Sequence, residues 1–553
     1  MNLTDLSNEK SCIFRHPYLL SAFLCFLTAI FTFGDQTYFS AESILIIAFV
    51  VIVLIYKKIN QGEYKEKNIK LAVLTVLIAA AAMLFCTIPY KGEIILAAGL
   101  VAVIVIFLKM YKKKQITAEK TELIVILFAF LMYTSYVLYT VCTLRQIDVG
   151  YIDSTTNHAG YINYLYDSWL MMPDFDPRER WMFFHAPLWH MVSALWLHFF
   201  TAFGIPYVQA FESIQILSLF CSFCIVITSY KIFRHFNLNG YALVIATAII
   251  ALCNTSVMLS GSINNDTMMA AFEIGAIYCA LKWYRDRNFK NILMTALCVG
   301  LGMMTKLSAW VVAPPIAFLF IYAFFKDIRS FKKYICQFLA FLAVCAPLGL
   351  WFPIYNYIRF GVPIGYVPPP SNSDIISESV IQRLFDFSLY QFETPILYTS
   401  NYVEFNPLVS LFKSSVDLQR MEFHLDDYYF SFSLVLYSSI VIGVMSFIFM
   451  IFSLFSKKVS IAREYRIYMA IFYATLMTSY YSFCIKFPYF CTENVRYIYP
   501  VILIGALFAG MMFKYKFKNK ILDKIVKILI GVSVSVLCLG SIVTFLSMGV
   551  LTE

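Results

Sequence analysis

The feature that most constrains this chain is a long series of apolar runs, each close to 20 residues in length. A helix needs about 20 apolar residues to cross a bilayer, because lipid cannot satisfy the hydrogen bonds of an open backbone. We predict fifteen spans, near residues 17–34, 41–56, 70–88, 93–110, 121–143, 211–230, 240–260, 266–283, 290–305, 308–325, 333–352, 430–455, 465–485, 497–513 and 525–547. The predicted fold class is an all-α polytopic membrane protein. A charged fraction of only 14% agrees with lipid as the main solvent.

The positions of the basic residues predict how these spans are oriented. Lys and Arg cluster in every second connection, at 57–70, 112–120, 231–234, 282–290, 326–333, 457–466 and 514–527. The positive-inside rule places those connections and the N-terminus in the cytoplasm. The net charge of +10 lies mainly in these short loops, so it indicates topology and not nucleic-acid binding. Two large connections, 144–210 and 353–429, are then extracytoplasmic, and the predicted location is the plasma membrane.

A further apolar run, 186–203, is predicted not to cross the membrane. If it crossed, Lys231 and Arg234 would lie outside, against the charge pattern of the other loops. The run also carries Trp189 and His190, which suit a helix lying in the membrane interface. The first outer loop is therefore expected to contain an interfacial helix.

Polar residues gather at the predicted outer ends of the spans, which favours chemistry at the membrane surface over a translocation path. Glu273 is the clearest charge within a span. Asp148 follows a predicted span directly and precedes a glycine-containing turn, so it lies at the boundary of water and lipid. A carboxylate at this place can deprotonate a hydroxyl nucleophile while a phosphate leaves from the lipid side.

A set of short motifs, in this order and on one side of the membrane, resembles the membrane-embedded GT-C glycosyltransferases. The nearest relatives look like glycosyltransferase family 39, the protein O-mannosyltransferases and the bacterial aminoarabinose transferases. The motifs are Asp148, His158-Ala-Gly-Tyr161, His185-Ala-Pro-Leu188, Asn264-Asn-Asp266, Gly300-Leu-Gly-Met-Met-Thr-Lys306, Asn356 to Pro363 and Arg496-Tyr-Ile-Tyr-Pro500. The resemblance covers about residues 120–510. It departs from the family in that Val149 follows Asp148, where many relatives have a second acidic residue.

The resemblance implies a GT-C fold whose long first outer loop carries interfacial helices. On this basis we expect accessory transmembrane helices over 1–115, a GT-C core over 116–513 that includes outer loops 144–210 and 353–429, and a final transmembrane helix within 514–553. The implied activity is transfer of a sugar from a polyprenyl-phosphate donor to a glycan, lipid or protein acceptor of the cell envelope, on the extracytoplasmic face. The alternatives are a transporter or flippase for a lipid-linked sugar, and a non-catalytic GT-C relative.

The resemblance also implies roles for individual residues. Asp148 takes the position of the base that acts on the acceptor, with Asp153 of the same loop as the alternative. Lys306 and Arg496 lie at the depth where a lipid phosphate needs cations. The competing interpretations are a snorkelling side chain for Lys306 and a helix-end anchor for Arg496.

The remaining substrate-binding candidates have simpler competing interpretations. His158 and His185 are predicted to hydrogen-bond sugar or phosphate, or else to pack. Asn265 and Asp266 either contact substrate or cap the next helix. Tyr161 offers a stacking surface for a sugar or belongs to an aromatic belt. Asn356 is a candidate because it begins one of the motifs that carry the family resemblance. No cofactor is predicted; no ligand spacing identifies a metal site, although the acids and histidines leave a divalent metal open.

The orientation of the second outer loop is directly testable. A cysteine introduced near Asp374 should react with a membrane-impermeant maleimide added outside intact cells, because the charge pattern places 353–429 there. The parent chain, with its 14 native cysteines, is the control for background labelling. Labelling only after the membrane has been opened would reverse the predicted topology.

Overall fold

The computed structural model describes residues 17–33, 91–140, 148–369, 375–399, 402–417, 425–459 and 461–550. The predicted spans at 41–56 and 70–88 lie outside these ranges. What is described consists of helices and loops, apart from one short hairpin of β1 (Tyr398–Thr399) and β2 (Tyr402–Val403). The predicted all-α class is confirmed.

Within the described ranges, three long helices precede the first large loop. They are α1 (Pro17–Phe33), α2 (Lys91–Lys112) and α3 (Ala118–Tyr139). Thr117 caps α3, since its hydroxyl accepts a hydrogen bond from the amide of Lys120. The helix α2 packs along α3, and α3 in turn packs against the later helices of the core.

From residue 148 onwards, where the first loop is described, three helices follow: α4 (Asn157–Asp167), α5 (Leu188–Ala202) and, across the end of the loop, α6 (Tyr207–Glu212). With 15 residues, α5 has a rise of about 22 Å, which falls short of the hydrocarbon thickness of a bilayer. It packs against α4, with Trp189 and His190 fully buried. The helix predicted within 186–203 is therefore present, while its position at the membrane surface stays a prediction.

The central part of the chain is a bundle of adjoining helices. These are α7 (Gln215–His235), α8 (Tyr241–Leu252), α9 (Asn254–Ser260), α10 (Asp266–Asp286), α11 (Phe289–Thr305), α12 (Ala313–Lys326) and α13 (Phe331–Phe360). Here α11 packs against both α10 and α13. Gly300 permits its close approach to α13, because a Cβ at this position would lie 2.8 Å from the Cβ of Leu348. The 240–260 segment differs from the predicted single span: α8 and α9 are bent by 49° at Cys253, whose backbone is extended.

The second large loop and the C-terminal helices complete the fold. The loop holds α14 (Val380–Phe385) and α15 (Pro407–Val416), and α16 (Leu425–Phe455), α17 (Arg463–Lys486), α18 (Pro500–Lys514) and α19 (Lys520–Val550) follow. Two buried ion pairs fix this loop, Lys413–Glu404 at 2.8 Å and Arg383–Glu493 at 2.7 Å. Since an unpaired buried charge is costly, these pairs specify one arrangement of the loop on α15 and the turn before α18.

Within the described ranges, seven helices are long and apolar enough to cross a membrane, or up to nine if each of two bent pairs forms one span. The second bent pair is Phe490–Ile498 with Pro500–Lys514, at 56°. The chain is thus a polytopic helical membrane protein, and the count of fifteen spans stays a prediction.

Candidate active site

A cavity of about 760 Å³ lies where the first loop meets the helix ends of the central bundle. Its walls come from the first loop, the start of α10, the end of α11, α13, α17 and the turn before α18. Seven of the ten residues predicted from the sequence line it: Asp148, His158, His185, Asp266, Lys306, Asn356 and Arg496. Parts of the chain more than 300 residues apart in sequence therefore share one site.

Four charged side chains form a chain of ion pairs in this cavity. Asp148 Oδ2 accepts a hydrogen bond from an Nη of Arg496 at 2.6 Å, and the Nε of Arg496 lies 3.6 Å from Asp266 Oδ2. Lys306 Nζ contacts the other oxygen of Asp266 at 2.5 Å. The cluster holds two carboxylates and two cations, so its formal charge is zero. Such pairing is what permits these charges to be largely buried.

The backbone at Asp148 forms a turn with left-handed residues, and hydrogen bonds to the start of α4 hold this turn in place. Asp148 has φ 68° and Gly150 has φ 79°, both in the left-handed region. The carbonyls of Asp148 and Val149 accept hydrogen bonds from the amides of His158 and Ala159 at the start of α4. These amides lie in the first turn of the helix and have no acceptor within it. The carbonyls of the Asp148 turn supply the acceptors, and the same hydrogen bonds hold the turn in place. Gly150 packs against Asn157, where a Cβ would lie 2.9 Å from the amide nitrogen of that side chain.

The electrostatics keep Asp148 ionised. Burial by itself would raise the pKa of its carboxyl, but the guanidinium of Arg496 and further nearby positive charge outweigh burial and lower the pKa below its ordinary value. The side chain remains 28% exposed, whereas those of Asp266 and Arg496 are only 3% and 5% exposed. Within the described part of the chain, no hydrogen bond reaches the Oδ1 atom of Asp148. Asp148 is thus the member of the cluster with a carboxylate oxygen available to a ligand.

The start of α10 decides between the two interpretations of Asn265 and Asp266. Asn265 is at the N-cap position, but its side chain makes no capping bond and instead donates to the carbonyl of Thr305 at 3.4 Å. The side chain of Asn264 accepts a hydrogen bond from the amide of Asp266 at 3.1 Å. The carboxylate of Asp266 pairs with Lys306 and Arg496, so capping is not its role. Asn265 is fully buried and does not line the cavity.

Lys306 and Arg496 make further contacts that contradict their simpler interpretations. Both lie beside the ring of Tyr497, with Lys306 Nζ at 4.7 Å from the ring centroid and the guanidinium carbon of Arg496 at 4.9 Å. An Nη of Arg496 also donates to the hydroxyl of Tyr497 at 2.9 Å. Lys306 therefore does not snorkel to an interface, and Arg496 is not an exposed anchor.

Three histidines and Tyr161 form a stack beside the charged cluster, in which His158, His190 and Tyr161 are buried and His185 is half-buried. His158 Nδ1 and His190 Nε2 share a hydrogen bond of 2.9 Å. Tyr161 stacks on His190 at 4.2 Å between ring centroids, and His185 stacks on His158 at 5.9 Å. Burial lowers the pKa of His158 to about 4 despite the opposing effect of Asp148. Burial likewise lowers the pKa of His185 and of His190, so these rings are neutral at physiological pH.

Two other predicted residues differ from expectation. Tyr161 is fully buried and supports the histidine stack without lining the cavity. Asp153 is exposed on the first loop, also away from the cavity, so the structure separates it from Asp148. Asn356 lies on α13 and contributes to the wall.

The cavity also contains residues that the sequence interpretation missed. Lys486 is an exposed lining residue at the end of α17 and makes no ion pair with any described residue. The signal that marked Arg496, a basic residue at a predicted outer helix end, was equally present for Lys486. Trp181, Phe184 and Tyr366 form an aromatic part of the wall, and Phe184 contacts both other rings edge to face.

The cavity extends along α17 as a groove. Its lining residues on this helix run from Ile471 to Lys486, which is about 22 Å at the rise of an α-helix. Trp310, Pro314 and Phe352 form the apolar part of the opposite walls. The site therefore joins a cluster of charges to a groove that combines hydroxyl side chains of α17, such as Thr475, Thr478 and Ser479, with apolar side chains of the other walls. Although the sequence predicts a span over 465–485, α17 is not among the seven helices of the described ranges that are apolar enough to cross a membrane.

Two other features bear on the alternatives. Glu273 is buried within α10 and does not line the cavity, so the residue that suggested a polar path through the membrane is not part of this site. Within the described ranges, no group of three or more His, Cys, Asp or Glu side chains has the arrangement of a metal site.

A family model provides the sequence comparison. Residues 191–351 match the model described as dolichyl-phosphate-mannose-protein mannosyltransferase. The match includes Asp266 and Lys306 and covers less than a third of the chain. This match confirms the resemblance to the GT-C superfamily. No curated protein sequence matches the chain.

The chain also aligns with solved structures at low sequence identity and low TM-score. The apo oligosaccharyltransferase of Archaeoglobus fulgidus is 12% identical, with a TM-score of 0.45 over 77% of this chain and 56% of that one. ArnT from Cupriavidus metallidurans, bound to undecaprenyl phosphate, is 11% identical, with a TM-score of 0.42 over 77% of each chain. The chain thus spans little more than half the length of the archaeal enzyme.

The buried histidines predict a loss of stability in acid. An unfolded histidine binds a proton near pH 6.5, whereas folded His158 stays neutral until about pH 4, so the unfolded state gains protons first as the pH falls. The cost grows from pH 6.5 down to pH 4 and reaches about 3 kcal/mol for His158. The apparent melting temperature in detergent should fall between pH 7 and pH 5, and less steeply in His158→Gln. An equal fall in both proteins would contradict the neutral state of His158.

Proposed function

We propose that the protein transfers a sugar from a polyprenyl-phosphate donor to a hydroxyl acceptor of the cell envelope, at the extracytoplasmic face of the plasma membrane. The observation that carries this proposal is the cavity itself, which joins the charged cluster around Asp148 to a groove along α17 whose other walls include the apolar side chains of Trp310, Pro314 and Phe352. A lipid-linked sugar phosphate has the matching parts, since its phosphate needs cations and its tail needs an apolar path. The volume of about 760 Å³ is within the range of ligand sites.

Asp148 is the proposed base. It is ionised, its Oδ1 is available, and its backbone is held by the start of α4. In the proposed step, the acceptor oxygen attacks the anomeric carbon of the donor, and the bond from that carbon to the phosphate oxygen breaks. The hydroxyl proton goes to Asp148 and the electron pair of the broken bond goes to the lipid phosphate. Attack opposite the leaving phosphate inverts the configuration at the anomeric carbon.

The proposed phosphate site needs a positive charge that is not already neutralised. Lys306 and Arg496 are each paired with a carboxylate, so their cluster alone has no excess charge. Lys486 lines the same cavity and has no such pair among the described residues. We therefore place the donor phosphate between Lys486 and the two paired cations. The aromatic wall of Trp181 and Tyr366 offers faces for the sugar ring.

The other parts of the chain follow the expected division in this proposal. Residues 1–115 serve as accessory helices, 116–513 form the catalytic core and 514–553 contain the last transmembrane helix. The acceptor, a glycan, a lipid-linked saccharide or a protein hydroxyl, approaches from the water side near the first loop. No nucleotide is required in this proposal, because the phosphoester bond of the donor supplies the free energy of transfer.

Removing the base tests the proposed reaction. Asp148→Asn should lower the release of lipid phosphate by about 100-fold or more, since a positioned base contributes that much to proton transfer. Release is measured with purified protein, polyprenyl-phosphate sugars and a membrane extract as the source of acceptor. Asp153→Asn is the matched control, because Asp153 is in the same loop but outside the cavity, and it should keep the parent rate. Equal rates for Asp148→Asn and the parent would remove Asp148 from the mechanism.

Removing the unpaired cation tests the phosphate site. Lys486→Gln should weaken the binding of undecaprenyl phosphate by about 10-fold or more, because a hydrogen bond to a charged group contributes roughly 1.5–3 kcal/mol. Binding is measured by ligand-induced thermal stabilisation in detergent. Lys290→Gln provides the control, since Lys290 is exposed at the start of α11, at the opposite end of this helix from Lys306. Unchanged binding in Lys486→Gln would reject this location for the phosphate.

A further inference from the structure

The second large loop exposes an unusual set of apolar side chains. Six large hydrophobic residues within eleven positions are exposed by 47% or more: Val380, Ile381, Phe385, Phe387, Leu389 and Tyr390. We call this set the loop patch. A soluble surface seldom exposes so many large apolar residues together, and such a surface generally marks an interaction site.

The backbone of the loop patch is held in one conformation by an ion pair and by hydrogen bonds on its buried side. Arg383, on α14 between two residues of the patch, is buried and pairs with Glu493 at 2.7 Å. Beyond α14, the carbonyl of Asp386 accepts a hydrogen bond from the side chain of Asn406 at 3.0 Å. Ser388 and Gln391 form a capping box around the next turn. These contacts fix the backbone with the apolar side chains pointing outwards. The apolar side chains therefore cannot fold back onto the loop.

The position of the patch along a membrane span indicates what covers it. The segment that follows the patch lies against α16: the hydroxyl of Tyr429 donates to the carbonyl of Glu393 at 2.7 Å, and that of Tyr437 to the carbonyl of Phe392 at 3.0 Å. Both tyrosines are within Tyr428–Phe455, a stretch apolar enough to cross the membrane. They are about 12 Å apart along the helix axis. The loop thus contacts the N-terminal part of a candidate membrane span.

The exposed surface of α16 continues this interface. Tyr429, Phe430 and Tyr437 are exposed by 44%, 71% and 49%, in a helix whose exposed side must meet lipid. Tyrosines at the end of a span are typical of the headgroup region. A patch fixed beside them faces the same bilayer, so lipid is the occupant that the geometry favours over a protein partner.

We propose that the loop patch inserts into the outer boundary of the bilayer beside α16 and anchors the second loop to the membrane. The partner is the lipid of the membrane that α16 crosses, bound through burial of apolar side chains in the interfacial layer. Such an anchor keeps the loop fixed relative to the membrane. The proposal does not depend on the reaction that the cavity performs.

Site-specific fluorescence in reconstituted liposomes tests the anchor. The environment-sensitive dye NBD is attached to Leu389→Cys, and to Phe385→Cys in a second variant, in phosphatidylcholine–phosphatidylglycerol vesicles. Both labels should emit at shorter wavelength than a water-exposed dye, resist quenching by iodide and be quenched by lipids with a shallow nitroxide. The parent protein, labelled identically, gives the background from native cysteines.

A matched label distinguishes insertion from general shielding. Thr155→Cys places the dye on an exposed polar position of the first loop, where iodide should quench it and the lipid nitroxide should not. If both patch labels behave like the one at position 155, the anchor is rejected. If they are shielded only in native membranes and not in the liposomes, a protein covers the patch and the lipid proposal is likewise overturned.

Discussion

The ion-pair chain of Asp148, Arg496, Asp266 and Lys306 is the interaction on which the candidate site depends. Its members come from the first loop, the turn before α18, the start of α10 and the end of α11, so the pairs join parts of the chain that nothing local brings together. Removing one member leaves a charge without its partner in a largely buried place, which is strongly unfavourable. The cluster therefore fixes the helix ends relative to one another and also holds the carboxylate of Asp148 in position. Architecture and proposed chemistry share the same contacts.

Much of this organisation could be predicted from the sequence, because the physical signals were strong and local. Apolar runs of about 20 residues predict helices reliably, since the bilayer admits few other backbone structures. The interfacial character of 186–203 followed from charge alternation, and the structure contains the helix, α5. The common location of Asp148, Lys306 and Arg496 came from motif order in the family resemblance, because no single-residue pattern predicts a contact across 348 positions.

The features that the sequence did not predict depend on tertiary contacts, which leave no local pattern in the sequence. An Asn-Asn-Asp run before a helix is a typical capping pattern. Here the carboxylate of Asp266 forms ion pairs with the nearby cations instead, and the side chain of Asn265 donates a hydrogen bond to the carbonyl of Thr305. Asp153 was the alternative to Asp148 in the same loop, and only the tertiary structure shows that Asp148 lines the cavity and Asp153 does not. The bend at Cys253 interrupts a continuous apolar run, so composition alone predicted one span.

The charges of the site also suit the proposed reaction through the whole transfer step. A sugar phosphate linked to a lipid is a phosphodiester with one negative charge, which Lys486 balances while the four-residue cluster stays neutral. When the bond to the sugar breaks, the lipid phosphate becomes a monoester whose charge approaches −2. In the proposed step Asp148 takes the acceptor proton at the same moment and becomes neutral, so Arg496 loses its paired charge. The positive charge released in this way equals the negative charge that develops on the phosphate. A base paired with an arginine beside the leaving group therefore keeps a poorly solvated site neutral at both ends of the reaction, which an isolated carboxylate could not do.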